Sequence, residues 1–391
     1  MGSNIKSAVL EKLLKAAAGL ANSSLQDFKD KGGKVIGYFC PFIPEELFIA
    51  GGFLPFRMRG TGSQNTNLAD AYFDTLNCCF VRHTFNQLLA GKYSFLDGLV
   101  IGTGCDHLRR IFDNAKHAAH ETDFIHLLDH PRTMGTPEMN GEPMTTYYRS
   151  QLAGLKEKME NHFNVEITAP RLKNAIKLCN ETRRLQKRLY ELRKADSPPI
   201  NGMEIAAIMM AGASVPKEEY NENLKTLLGE LEKAPASGRK YSARLMVVGV
   251  AIEDPCFYNV IEENGGIVVI DDLCFGARTV QGVVDEKTAD PLQAIAKYQV
   301  LDVPFCPKIN GAHVSRVSFI KEMTTQFKVD GVIAQGYVAC DPWGTSFALL
   351  KESLKEAGIP FLRVDRDYLP SQSGQLSTRV QAFLETIGGR I

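Results

Sequence analysis

The residues with the most chemistry in this sequence are its nine cysteines, spread over 391 positions. Cys40, Cys105, Cys274 and Cys340 each stand just past a short apolar run that reads as a strand and just ahead of a stretch that reads as a helix. A thiol there has its thiolate favoured by free backbone N–H groups and by the helix dipole. One such placement is unremarkable; four point to a thiolate site. Three uses follow: a nucleophile, a zinc site or an iron–sulfur cluster. A nucleophile needs one thiol and a base. The paired C-x₂₋₄-C spacing of zinc sites is missing, and so is compact ferredoxin spacing. The intervals are long: 40 to 78, 78 to 105, 274 to 306 and 306 to 340. Ligands gathered from distant loops onto one crevice fit a cluster held between domains, but spacing alone leaves all three uses open.

Other candidates carry less. His117, His120, His126 and His130 form a histidine-rich stretch that reads as solvated loop rather than metal site. Gly60-Thr61-Gly62-Ser63 lacks the lysine of a phosphate loop, and no complete G-x-G-x-x-G occurs. Any ATP hydrolysis linked to this protein is therefore expected on a partner. Arg57 and Arg59 beside that loop read as a solvated face. Glu45, Glu46, His83 and His107 adjoin cysteines and are the candidate proton donors.

The elements that would position these residues alternate. Residues 35–39 (VIGYF) read as a strand ending at Cys40, with a helix opening at Pro44-Glu45-Glu46 and running to Gly51-Gly52. Residues 68–90 read as one helix containing Cys78 and Cys79. Residues 95–101 read as a strand leading to Cys105-Asp106. In the last third, residues 244–251, 267–270, 330–335 and 359–364 read as strands, with a helix from Asp254-Pro255-Cys256 to Glu263 and another over 347–357. Asp97-Gly98 ahead of Cys105 and Asp330-Gly331 ahead of Cys340 echo each other. Short apolar strands alternating with helices imply parallel sheets covered on both faces, and ligands in such sheets sit beyond the carboxyl ends of the strands. The expected fold is α/β: two related doubly wound parallel-sheet (Rossmann/flavodoxin-like) domains, residues 1–150 and 237–391, joined by a helical segment over 151–236. Residues 235–239 read as a linker.

Composition excludes other classes. Forty-five basic and forty-five acidic side chains leave no net charge, so no global field favours nucleic acid or an anionic membrane. No apolar run approaches the ~20 residues that span a bilayer. Residues 5–21 mix lysines and Glu11 with apolar positions at helical spacing, which reads as an amphipathic surface helix rather than an export signal. A cytoplasmic protein is expected, and structural disulfides are not.

Several motifs together resemble the benzoyl-CoA reductase and 2-hydroxyacyl-CoA dehydratase family. They are residues 37–47 (GYFCPFIPEEL) with Ala50-Gly51-Gly52, residues 68–72 (LADAY) with Cys78, the Asp97-Gly98 strand ending at Cys105-Asp106, residues 261–266 (IEENGG) with Asp272-Leu273-Cys274, residues 340–344 (CDPWG) and residues 374–379 (GQLSTR). The resemblance spans essentially the whole chain. It implies a two-component system in which an ATPase activator with its own cluster feeds single low-potential electrons to a catalytic component. For this chain it implies one 4Fe–4S cluster on Cys78, Cys105 and Cys340. Alternatively it implies a double-cubane 8Fe–9S cluster on those three with Cys40, Cys274 and Cys306. Cys79, Cys179 and Cys256 fall outside the motifs and are taken as ordinary buried thiols. The N-terminal third looks most like the smaller, C-type subunit of ATP-dependent aromatic-ring reductases. That implies an oxidoreductase subunit acting on an aromatic acyl-CoA with a related, larger subunit. The alternatives are a 2-hydroxyacyl-CoA dehydratase subunit, a lyase working through a ketyl radical, and a homodimeric double-cubane reductase of small molecules.

Overall fold

The computed structural model describes residues 5–118, 122–133, 141–235, 238, 240–303, 306–369 and 373–388. Two parallel sheets organise them. The first is built from β1 (Lys34–Tyr38), β2 (Phe53–Arg57), β3 (Gly98–Gly102) and β4 (Ile125–Leu128) in the order β2-β1-β3-β4. The second is built from β5 (Ala243–Gly249), β6 (Gly266–Asp272), β7 (Gly331–Tyr337) and β8 (Phe361–Arg366) in the order β6-β5-β7-β8. The two orders are the same, and every strand pair is parallel. This is the α/β architecture expected, with the doubly wound order of a flavodoxin-like sheet. The central strands β1, β3, β5 and β7 are almost wholly buried, as sheets covered on both faces require.

The echo between Asp97-Gly98 and Asp330-Gly331 has a physical basis. Asp97 Oδ2 accepts from the Val35 N–H at 2.7 Å, at the start of β1. Asp330 Oδ2 accepts from the Arg244 N–H at 2.7 Å, at the start of β5. In each half an aspartate pins the central strand to its neighbour. The glycine that follows lets a covering side chain close down, because a Cβ there would lie 2.7 Å from Ile36 or 2.8 Å from Phe383.

Long helices run between the sheets in sequence: Glu142–Phe163, Ala169–Glu191, Gly202–Ala211 and Lys217–Leu231. The amphipathic N-terminal helix is present at Ala8–Ala18, capped by Ser7, and buries Leu10, Leu13, Ala16 and Ala17. The helix expected after Pro44 spans Glu45–Ala50. The one opened by Asp254-Pro255-Cys256 spans Pro255–Glu263, and Gly265 beyond it takes φ +95°. No helix among the described residues is long and apolar enough to cross a membrane.

Three expectations need correction. Residues 68–90 are not one helix: a 3₁₀ turn at Ala69–Ala71 precedes a separate helix at Cys79–Leu89. Local side chains break the run, since Asp74 accepts from the Leu76 N–H and Asn86 accepts from the Leu68 N–H. Such side-chain-to-backbone bonds offer the chain an alternative to helix. Arg57 and Arg59 do not form a solvated face; they are 4% and 0% exposed. His130 is not solvated either. It is buried between Phe42 and Tyr148, with ring centroids 4.4 and 4.7 Å away. His117 is exposed, as the solvated reading expects, His126 is part-buried, and His120 lies outside the described residues. Most of the 235–239 stretch lies outside them too.

Candidate active site

The carboxyl ends of the two sheets face each other, and the cysteines sit there. Cys40 follows β1 and Cys105 follows β3, directly before the helix Asp106–Ala118. Cys274 follows β6, and Cys340 follows β7 as the residue capping the helix Asp341–Glu356. Cys78 caps the helix Cys79–Leu89. Cys306 lies in the loop that precedes the helix His313–Gln326. All six line one cavity of about 120 Å³ whose walls come from both halves of the chain. Its remaining surface is largely apolar, from Phe39, Phe80, Leu108, Val250, Ala251 and Trp343.

Cations surround the thiols. Arg278 Nη1 lies 3.3 Å from Cys274 Sγ, and Arg278 is held by a fully buried ion pair to Asp272 at 2.8 Å. Lys308 Nζ lies 3.9 Å from Cys40 Sγ and 4.2 Å above the Phe42 ring. Arg57 donates to the carbonyls of Phe39 and Cys274. The Cys78 N–H donates to His107 Nδ1 at 2.8 Å, which leaves Nε2 to carry a proton toward Asp341, 3.2 Å away.

The electrostatics divide the thiols. Hydrogen bonds from Cys340, then Cys79, hold Cys78 well below the ordinary thiol range against the effect of burial. The same bond and burial push Cys340 up. Burial pushes Cys105 up to about 12 and Cys306 up to about 11. His107 is raised, first by its hydrogen bond with Cys78 and then by Asp341, against burial. Buried thiols of this kind ionise when a bound cationic centre supplies the missing charge. Among the described residues no three His, Cys, Asp or Glu side chains converge on a single metal ion. Six thiols around one cavity are a soft donor set of the kind that holds an iron–sulfur group.

The candidate proton donors separate. His107 lines the cysteine cavity. His83 does not; its Nδ1 bonds Ser63 Oγ at 2.8 Å, its ring stacks on Tyr368, and burial pushes it down to about 4. Glu45 lines a second, polar cavity of about 80 Å³, which shares Pro41 and Arg57 with the first. There it accepts from Tyr38 at 2.6 Å and pairs with Lys217 at 2.9 Å. Burial alone would raise Glu45, but Lys217 and these hydrogen bonds outweigh it and hold the carboxyl below its usual range. Glu46 is fully buried and pairs with Arg183 at 2.5 Å. Cys79 and Cys179 are buried; Cys179 lines the polar cavity. The sequence reading missed Arg278, Lys308 and the polar cavity. Arg278 carried a signal in its place four residues after Cys274, whereas Lys217 and Gln299 reach the site from segments with no motif.

Comparison with known proteins gives the family. Residues 40–387 match the family model of the 2-hydroxyglutaryl-CoA dehydratase D-component. The chain is 27% identical to the β subunit of (R)-2-hydroxyglutaryl-CoA dehydratase from Acidaminococcus fermentans, over 97% of this chain and 99% of that one. It is 26% identical to the (R)-phenyllactyl-CoA dehydratase β subunit of Clostridium sporogenes, over 93% and 94% of the two chains. It is also 26% identical to the C-type subunit of benzoyl-CoA reductase from Thauera aromatica, over 85% of each. Two four-stranded parallel sheets, six cysteines on one cavity between them and a match over nearly the whole chain identify this protein as a member of the 2-hydroxyacyl-CoA dehydratase and benzoyl-CoA reductase family.

Proposed function

We propose that this chain is an iron–sulfur subunit of an ATP-dependent enzyme of that family, holding a double-cubane 8Fe–9S cluster on Cys40, Cys78, Cys105, Cys274, Cys306 and Cys340. The observation that carries the reading is the meeting of all six thiols on one cavity between two sheets. When bound, such a cluster supplies single low-potential electrons. The chain's own residues set the conditions for it. Arg278, Lys308 and Arg57 place positive charge and donors beside the thiols, and His107 accepts from the Cys78 N–H. The apolar wall excludes water, which lowers the local dielectric and strengthens these interactions. His107, hydrogen-bonded at one nitrogen and facing Asp341 with the other, is the proton donor at this cavity.

Electrons would come from a separate ATPase activator, and the partner would be a related larger subunit or a second copy of this chain, working in the cytoplasm. Aromatic acyl-CoA ring reduction draws support from the likeness to the C-type subunit of benzoyl-CoA reductase. A smaller, polar substrate, as in the dehydratase or small-molecule reductase readings, draws support from the polar cavity beside the cysteines. The test is iron and acid-labile sulfide on anaerobically purified protein, with EPR after reduction. About eight irons and nine sulfides per chain are expected. About four irons would reduce the site to Cys78, Cys105 and Cys340. No iron would end the redox reading.

A further inference from the structure

The charges around the cysteine cavity are spread unevenly. Among the described residues, Arg57 and Lys308 are the lysine and arginine side chains on its wall. Both stand at one end. Lys308 Nζ lies 3.9 Å from Cys40 Sγ, and Arg57 donates to the Cys274 carbonyl. Behind that wall, Arg278 Nη1 lies 3.3 Å from Cys274 Sγ. Arg278 and Arg316 lie 5.3 and 5.6 Å from the centre of the Trp343 ring. The third thiol at this end faces the same cations: burial pushes Cys306 up to about 11, with Arg278 and Lys308 pulling against it. Asp272, paired with Arg278 at 2.8 Å, offsets one of these positive charges.

The opposite end differs. His107 Nδ1 accepts from the Cys78 N–H at 2.8 Å, and Cys340 is followed by Asp341, 3.2 Å from His107 Nε2. Cys78, Cys105 and Cys340 each stand at a helix N-terminus, which brings about half a positive charge apiece. Set against Asp341, those partial charges leave this end far less positive than the one held by Arg57, Arg278, Arg316 and Lys308, even after Asp272 is counted. The wall of the cavity is largely apolar, so the difference is poorly screened. An added electron rests where the potential is most positive, and the charge and hydrogen bonds at a cluster's sulfurs set its midpoint. We propose that Arg278 and Lys308 fix the place of the added electron, holding it at the Cys40, Cys274 and Cys306 end of the cavity, with Arg278 acting through its N–H···S contact to Cys274. The inference rests on the proposed function for the presence of the cluster. It goes beyond that reading in naming the residues that set the potential and the thiols beside which the electron is held.

The test is an EPR-monitored redox titration of the anaerobically purified full chain, with iron measured on the same samples. Lys308→Met keeps a side chain over the Phe42 ring and removes the charge. It should leave iron content unchanged and make one-electron reduction about tenfold less favourable at a fixed potential, a midpoint lowered by about 59 mV. Arg278→Lys keeps a cation for Asp272 but loses the planar fork that also reaches Cys274, so its midpoint should fall in the same direction with iron retained. In the reduced chain grown on ¹⁵N-arginine, pulsed EPR should show a nitrogen coupling that Arg278→Lys removes; a residue that only supports the fold gives no such coupling. Should Arg278→Lys not fold, Lys308→Met and the labelled parent chain make the test without it. Full iron with an unmoved midpoint in Lys308→Met, or no nitrogen coupling in the labelled chain, would overturn this inference and leave the cluster standing. Loss of iron in Lys308→Met would make the lysine a structural group and overturn the inference as well. About four irons in the parent chain, or none, would refute the six-thiol site and this inference with it.

Discussion

The two halves of the molecule share a strand order but do not place their cysteines identically. Counting along each sheet, Cys105 and Cys340 are equivalent: each follows the third strand in sequence, precedes an aspartate and stands at a helix N-terminus. Cys78 and Cys306 are loosely equivalent, since both lie in the crossover between the second and third strands. The remaining pair breaks the symmetry. Cys40 follows the first strand of its half, whereas Cys274 follows the second strand of the other. By the register that pairs Ile36 with Gly98 and Leu245 with Gly331, the position in the C-terminal half that matches Cys40 is Gly249, the last residue of β5, with φ +146°. At the position that matches Cys274, the N-terminal half offers Arg57 and its neighbours. A duplicated fold thus gives two equivalent thiols for nothing more than its repeat, while the other sites were settled separately in each half.

That comparison can be broken most directly by removing thiols. Cys105→Ala and Cys340→Ala should each abolish iron binding, with equal effect if the two positions are equivalent. Cys40→Ala, Cys274→Ala and Cys306→Ala should each leave about four of about eight irons. Full iron in all three of these variants would end the six-ligand arrangement, and full iron in Cys340→Ala would end the core one as well.

The next effect tests the fully buried Asp272–Arg278 pair of the C-terminal half. Arg278→Leu strands Asp272 without its partner in a fully buried position. Breaking such a pair costs about 3–5 kcal/mol, which urea titration of the purified chain would read. A loss below about 1 kcal/mol would mean that the pair is solvated in solution. Gly249→Ala should cost about 2–3 kcal/mol by the same measurement. A Cβ at Gly249 would lie 1.9 Å from the Gln335 carbonyl oxygen, in a backbone conformation that side-chain-bearing residues avoid. The residue in register at the end of β1 is Cys40, which needs no such backbone freedom.

The smallest effect is on pH. His83 is pushed down to about 4 by burial, with Asp367 and Asp70 raising it and Arg82 lowering it. Its unfolded value is near 6.5. The unfolded chain therefore takes up a proton first as pH falls, so the stability owed to neutral His83 is complete above about pH 6.5 and is lost from there toward pH 4. Between pH 7 and pH 5 the loss is about 2 kcal/mol. His83→Gln should flatten that part of the stability profile; an unchanged slope would mean that His83 is protonated in the folded chain.

Much of the architecture was legible in the residues because its signals are local. Short apolar strands, Pro and acids at helix starts and Gly past helix ends marked most of the elements. The Asp-Gly echo marked the duplication, because one hydrogen bond to the central strand is made twice. β2 and β4 were not read, since FLPFR and IHLL carry neither clean alternation nor length. The helix over 68–90 was overextended because Asp74 and Asn86 act on backbone that periodicity alone makes look helical. Arginines near a glycine loop ordinarily face water, and nothing in the sequence says that Arg57 and Arg59 are enclosed by distant segments. The strand-end cysteines were legible because a chain turn places each one locally. The polar cavity was not, because Glu45, Lys217 and Gln299 meet only through tertiary packing.

Arg57 belongs to the walls of both cavities, and this makes them thermodynamically linked. A fixed positive charge shared by two chambers lets each feel the charge state of the other. Were the proposed cluster bound, an electron added on the cysteine side would weaken the net pull on any anion in the polar chamber, and by reciprocity an anion held there would make reduction harder. For a one-electron step, a tenfold difference in anion affinity between the two redox states equals a midpoint shift of about 59 mV. Occupancy of one chamber would thereby set when the other accepts its electron.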